Sequence, residues 1–125
     1  MIKGNTEPKQ YVNKGEMTMN PFGYLESDWK VYKSKIADWQ EDYMERLCKE
    51  YIELLSSDKL PSERFWELEK RINTDKRATG VIATNSRSKL IGNILDLLRE
   101  GAITFDDLTD FSEELQERIK VLYNF

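Results

Sequence analysis

SDWKVYKSKIADWQEDYMERLCKEYIELLS, residues 27–56, is the stretch on which the fold turns. Apolar side chains recur at Trp29, Tyr32, Ile36, Trp39, Tyr43, Leu47, Tyr51 and Leu54, at spacings of three and four. At 3.6 residues per turn those positions share one face, which predicts a single long amphipathic helix. Ser27 is the expected N-cap, with Asp28 in the first turn, where the helix dipole favours an anion. Asp42/Arg46 and Glu45/Lys49 are i,i+4 ion pairs on the other side. A rise of 1.5 Å per residue makes such a helix about 40–45 Å long. No later segment predicts a helix of that length, so part of the stripe is expected to meet a second copy or a partner.

Three shorter helices follow. Pro61 opens the second, at a position where its missing N–H costs nothing. Phe65, Leu68 and Ile72 form its expected inner stripe, and Gly80 its expected stop. A third helix begins after Val81, with Asn85 or Ser86 as its cap. Leu90, Ile91, Ile94, Leu95, Leu97 and Leu98 make it the most apolar element and the expected centre of the core, and Gly101 ends it. Thr104 and Asp107 match a capping box, flanked by Ile103 and Leu108 as a hydrophobic staple, so a fourth helix starts there. Its inward face is Leu108, Phe111, Leu115, Ile119 and Leu122, with Ser112 able to start a separate helix after a break near Phe111. The fold class is therefore all-α: a small bundle of about four helices, one of them long and N-terminal, in a single domain over residues 24–125.

Residues 1–23 have no periodicity and read as a disordered tail. Lys14-Gly15-Glu16 is also what a purine-rich ribosome-binding sequence would encode, at a suitable distance before Met19. Natural translation starting at Met19, with a translated leader before it, is the corresponding expectation.

Composition narrows the chemistry. The chain has 125 residues, no histidine and one cysteine, Cys48. Cys/His zinc sites, Ser-His-Asp and Cys-His nucleophile systems and an intramolecular disulfide are thereby excluded. Cys48, next to Leu47 in the helical pattern, is expected to be an inert, partly buried side chain. No run approaches the roughly 18 apolar residues of a membrane helix, and a reducing cytoplasm is the expected location. Asp106, Asp107 and Asp110 lack the spacing of a calcium loop, and no carboxylate pair stands out for acid–base work. No metal, cofactor or enzyme activity is expected.

Two charged constellations stand out. Asp106, Asp110, Glu113 and Glu117 would line one side of a continuous helix as an acidic ridge, with charges about 5–6 Å apart. Such a ridge is either a solvated face or a surface that enters a basic groove on another protein. Lys70, Arg71, Lys76, Arg77, Arg87 and Lys89 concentrate positive charge in residues 70–89, while the whole chain carries −4. This segment could hold phosphates or an acidic partner, or pair internally with the acidic helices. Trp66 is either an interface anchor or, as expected, packed on the long first helix.

The strings NPFGYLESDWKVYKSKIADWQEDYMERL, FWELEKRINTDK and GAITFDDLTDFSEELQE, with Gly80-Val81 before Arg87-Ser88, carry a resemblance. Over roughly Asn20 to Glu117 the chain resembles a group of small uncharacterised proteins of bacterial mobile genetic elements, some bearing the label multidrug transporter. That label does not fit a chain without a membrane span. Ala83–Ser86 departs from the group in being more polar, which leaves the start of the third helix open. The resemblance implies a non-catalytic inhibitor or adaptor, of anti-defence or anti-CRISPR type, that docks on a host nucleic-acid-handling protein. The alternatives are a nucleic-acid-contacting accessory protein using the basic segment, and a structural helical homodimer.

Overall fold

The long stretch forms one helix, α1 (Glu26–Leu55), in a computed structural model that describes residues 18–125. Four further α-helices follow: α2 (Pro61–Asp75), α3 (Thr79–Ile82), α4 (Leu90–Arg99) and α5 (Glu113–Tyr123). Short 3₁₀ turns at Arg87–Lys89 and Phe105–Leu108 join them. Among the described residues there is no strand, only an isolated antiparallel bridge between Met19 and Leu25. That bridge corrects the expected tail over its last part. Residues 18–25 fold back as a hook, where Asn20 N–H donates to the Tyr24 carbonyl at 2.7 Å and Gly23 takes φ +93°. The remainder of the expected tail or leader, residues 1–17, lies outside the described residues.

The expected stripe of α1 is the buried one, with Trp29, Tyr32, Ile36, Trp39, Leu47 and Leu54 all buried. Its first half packs Trp29, Tyr32, Ile36 and Trp39 against Leu90, Ile94, Leu97 and Leu98 of α4 and Leu115 and Ile119 of α5. Ile103, Leu108 and Phe111 complete that cluster from the connecting segment. α4 is the core element, as its composition requires. It ends where Gly101 takes φ +74°, with Ala102 N–H bonded to the Leu97 carbonyl and Gly101 N–H to the Leu98 carbonyl.

The cap of α1 differs from the expectation. Leu25, not Ser27, is the N-cap residue. Leucine has no side-chain acceptor, so only the reciprocal half of a capping box forms, with Leu25 N–H donating to the Asp28 carboxylate at 3.3 Å. Asp28 is 1% exposed. The same carboxylate accepts the Ser112 N–H at 2.8 Å and the Ser112 hydroxyl at 2.7 Å. Ser112 is in turn the N-cap of α5, its Oγ accepting from Leu115 N–H.

That clamp explains the break in the fourth helix. Asp107 bonds back to Thr104 N–H at 2.7 Å as the capping box requires, yet only a 3₁₀ turn results. Asp28 holds Ser112 in an extended conformation (ψ 153°), and Phe111 enters the core beside Trp39. The helix restarts at Glu113.

Two other boundaries are corrected. Gly80 does not stop α2, which ends at Asp75; it lies inside α3 because a Cβ there would come within 2.4 Å of the Tyr43 ring. The Glu100 carboxylate caps α3 by accepting Thr79 N–H and Gly80 N–H at 2.8 and 3.0 Å. Ser86 precedes a 3₁₀ turn and its hydroxyl meets Ser88 instead of capping, so α4 starts at Leu90.

Replacing Asp28 with alanine removes the acceptor for three donors, the Leu25 N–H buried with it and the two of Ser112 half-buried. The expected loss is about 2–4 kcal/mol of unfolding free energy, read from denaturant midpoints, with Asp28→Asn losing less because one oxygen still accepts. A midpoint unchanged in Asp28→Ala contradicts the clamp.

Candidate functional site

The second half of α1 runs past the core, because α4 and α5 have only 10 and 11 residues against its 30. Helix α2 doubles back along that overhang to make a two-helix arm. The expected inner stripe of α2 is a correction in its own right. No residue of α2 is buried; Phe65 is 61% and Ile72 42% exposed. The apolar period is present and Leu68 is half-buried, but among the described residues no second layer covers Phe65 and Ile72. One seam through Leu47 and Leu54 is all the arm encloses.

The two flanks of that seam differ. On one, Arg71 reaches Glu50 at 2.5 Å and Asp75 at 3.6 Å, and lies over the Tyr51 ring. The Tyr51 hydroxyl donates to Asp75 at 2.6 Å. On the other flank helix periodicity places Met44, Cys48, Ile52 and Leu55 of α1 beside Phe65 and Ile72 of α2. An apolar groove of about 230 Å³ opens there between Met44, Cys48 and Ile72 and reaches the seam, where Tyr51 and Asp75 also line it. Cys48 is exposed on it, not partly buried as expected, because α2 covers only the Leu47 side. Outside both flanks, Trp66 is 61% exposed, with its ring edge-on to Phe65 at 4.9 Å. It lines a shallow hollow of about 470 Å³ with Glu67, Lys70, Arg71 and Thr74. The expectation that Trp66 packs on the long helix is thereby corrected, because α2 turns that face outward.

The basic segment is not one patch. Lys70 and Arg71 lie on α2 and Lys76 caps its end. Arg77 and Lys89 border a separate hollow with Asp96. Arg87 is held by Glu26 at 2.7 Å and lies over the Trp29 ring, which draws the Glu26 carboxyl below its usual range. The acidic ridge is divided as well. Asp106 sits on the 3₁₀ turn, Asp110 pairs with Lys35 at 2.8 Å, and only Glu113 and Glu117 share α5. Glu117 has Lys120 at 3.8 Å. All four acidic residues remain exposed.

Among the described residues, no three His, Cys, Asp or Glu side chains are grouped to hold a metal ion, and no helix is long and apolar enough to cross a membrane. No protein-family model matches the sequence, no curated protein is similar to it, and no solved structure matches the fold.

Burial and the bond to Asp75 push the Tyr51 phenol up to about 12. An unfolded tyrosine ionises near pH 10, so this interaction is complete below pH 10 and is lost as pH rises from there through about 12. Burial also raises Tyr24, Tyr32 and Tyr43. Ultraviolet titration should therefore show several tyrosines ionising above pH 10, and Tyr51→Phe should remove one phenol from the latest part of the curve, near 12. A Tyr51 that ionises near pH 10 contradicts the bond.

Proposed function

We propose that the chain is a non-catalytic protein-binding adaptor or inhibitor, and that its docking surface is the outer face of the arm centred on Trp66. The observation that carries this reading is a tryptophan held 61% exposed on a helix that buries nothing of its own. Tryptophan and arginine are the side chains that most often anchor protein interfaces. Here Trp66 has Phe65 edge-on behind it and Lys70 and Thr74 along the next turns, while Arg71 is engaged by Glu50 and Asp75. An exposed aromatic with Lys70 one turn on fits a partner surface that offers an apolar pocket with a carboxylate at its rim.

The resemblance to proteins of mobile genetic elements supplies the context. In that context the partner is a host nucleic-acid-handling defence protein, met in the cytoplasm and inhibited by occlusion. The acidic residues Asp106, Asp110, Glu113 and Glu117 are a second surface for such a partner, with weaker support since the break at Ser112 divides them. Direct nucleic-acid contact through the basic segment has less support still, because Arg71 and Arg87 are engaged by Glu50 and Glu26.

The test is capture of defence proteins from a bacterial lysate, quantified by mass spectrometry for three forms of the chain. Trp66→Ala should weaken capture of the partner about 30-fold, as loss of a 2 kcal/mol anchor does. Charge reversal at the four acidic positions should leave capture unchanged. The opposite pattern transfers the function to the acidic surface and refutes the Trp66 reading.

A further inference from the structure

We propose that the apolar flank of the arm is a self-association surface, on which a second copy of this chain packs its own arm antiparallel about a two-fold axis. The axis passes near Ile72 on α2 and Cys48 on α1, which line the same groove towards the base of the arm. Two hairpins joined in this way overlap along the second halves of their α1 helices and over the last turns of their α2 helices, and each seam there gains the second layer it lacks.

Area supports a second copy as the occupant. Met44, Cys48, Ile52, Leu55, Phe65 and Ile72 together leave roughly 500 Å² of side chain in water, the aromatic ring contributing most. A standard interface buries about 800 Å² per partner, a little over half of it apolar. The flank therefore carries the apolar share of one stable two-fold contact.

Charge supports the same occupant and sets the register. Glu69 and Lys76 are exposed on the side of α2 that carries Ile72, two turns apart and either side of it. Asn73 donates to the Glu69 carboxylate at 3.1 Å and holds it there. An antiparallel crossing centred between Ile72 and Asn73 sets Glu69 of each copy against Lys76 of the other. The two-fold symmetry makes that ion pair twice. A parallel arrangement would oppose Glu69 to Glu69 and Lys76 to Lys76, so the charges select the antiparallel one. Trp66 lies about 100° around α2 from Phe65 and stays outside this contact. Self-association through Ile72, Cys48, Glu69 and Lys76 does not rest on the partner-docking reading, and the two surfaces touch only where the Phe65 and Trp66 rings meet.

Sedimentation of the full chain over a wide concentration range should show a reversible dimer. A short bismaleimide should join two copies through Cys48, the sole cysteine. Ile72→Glu should weaken the dimer about 100-fold or more by placing two carboxylates at the axis. Glu69→Lys should weaken it, and combining Glu69→Lys with Lys76→Glu should restore it; both sites are on the surface, so folding is not at stake. A chain that is monomeric throughout, a dimer indifferent to Ile72→Glu, or a charge swap that fails to restore association would each overturn the proposal. Trp66→Ala should leave the dimer intact while capture falls, so failures of the two readings are told apart.

Discussion

Asp28 is the residue on which the rest of the architecture depends. Its carboxylate is buried at the meeting of two helix starts, α1 and α5, whose N-termini both present partial positive charge. Burying a carboxylate is costly unless donors surround it. Leu25 N–H, Ser112 N–H and the Ser112 hydroxyl supply them. The contact spans 84 positions of sequence and so closes the bundle end to end. It also sets where the chain cannot be helical, since Ser112 must stay extended to reach it. Phe111 is thereby directed into the core and the restart at Glu113 is determined.

Once that end is closed, the lengths of the helices dictate the rest. α4 and α5 are about a third as long as α1, so they cover only its first half. The overhang has α2 for company and little else. A pair of helices encloses one seam, here Leu47 and Leu54, and leaves the remaining apolar side chains in water. The small helix α3 ties the base of the arm to the core, with Gly80 against Tyr43 and its amides on Glu100. The molecule thus has a closed core and an arm that leaves Ile52, Leu55, Phe65 and Ile72 exposed.

Much of this was legible in the residues themselves. The buried stripe of α1, the apolar weight of α4, the Gly101 stop and the staple of Ile103 and Leu108 all follow from local periodicity and turn chemistry. The length of α1 against its neighbours already implied that part of the helix runs beyond the core. What local reading missed depended on contacts far apart in sequence. Phe65, Leu68 and Ile72 have the spacing of an inward stripe, and periodicity does not reveal that only Leu68 is half-buried while Phe65 and Ile72 stay exposed. Ser27 is a good N-cap by type, but the tertiary bond from Asp28 to Ser112 moved the start to Leu25. Gly80 looked like a helix stop because its true reason, the Tyr43 ring, lies 37 positions away. The candidate site suffered most from the same cause. A ridge of four carboxylates required one unbroken helix, and the basic segment required residues 70–89 to fold onto one face. Only Trp66, Lys70 and Arg71, neighbours on one helix, are left together in the hollow.

Core and arm behave as energetically separate units if Asp28 closes the first and the proposed second copy completes the second. Native-state hydrogen exchange, followed residue by residue at low and high protein concentration, tests it most directly. The account predicts high, concentration-independent protection for α4, α5 and the first half of α1. It also predicts weaker protection for α2 and the second half of α1 that rises with concentration. Uniform protection through both regions, unchanged by concentration, would contradict it.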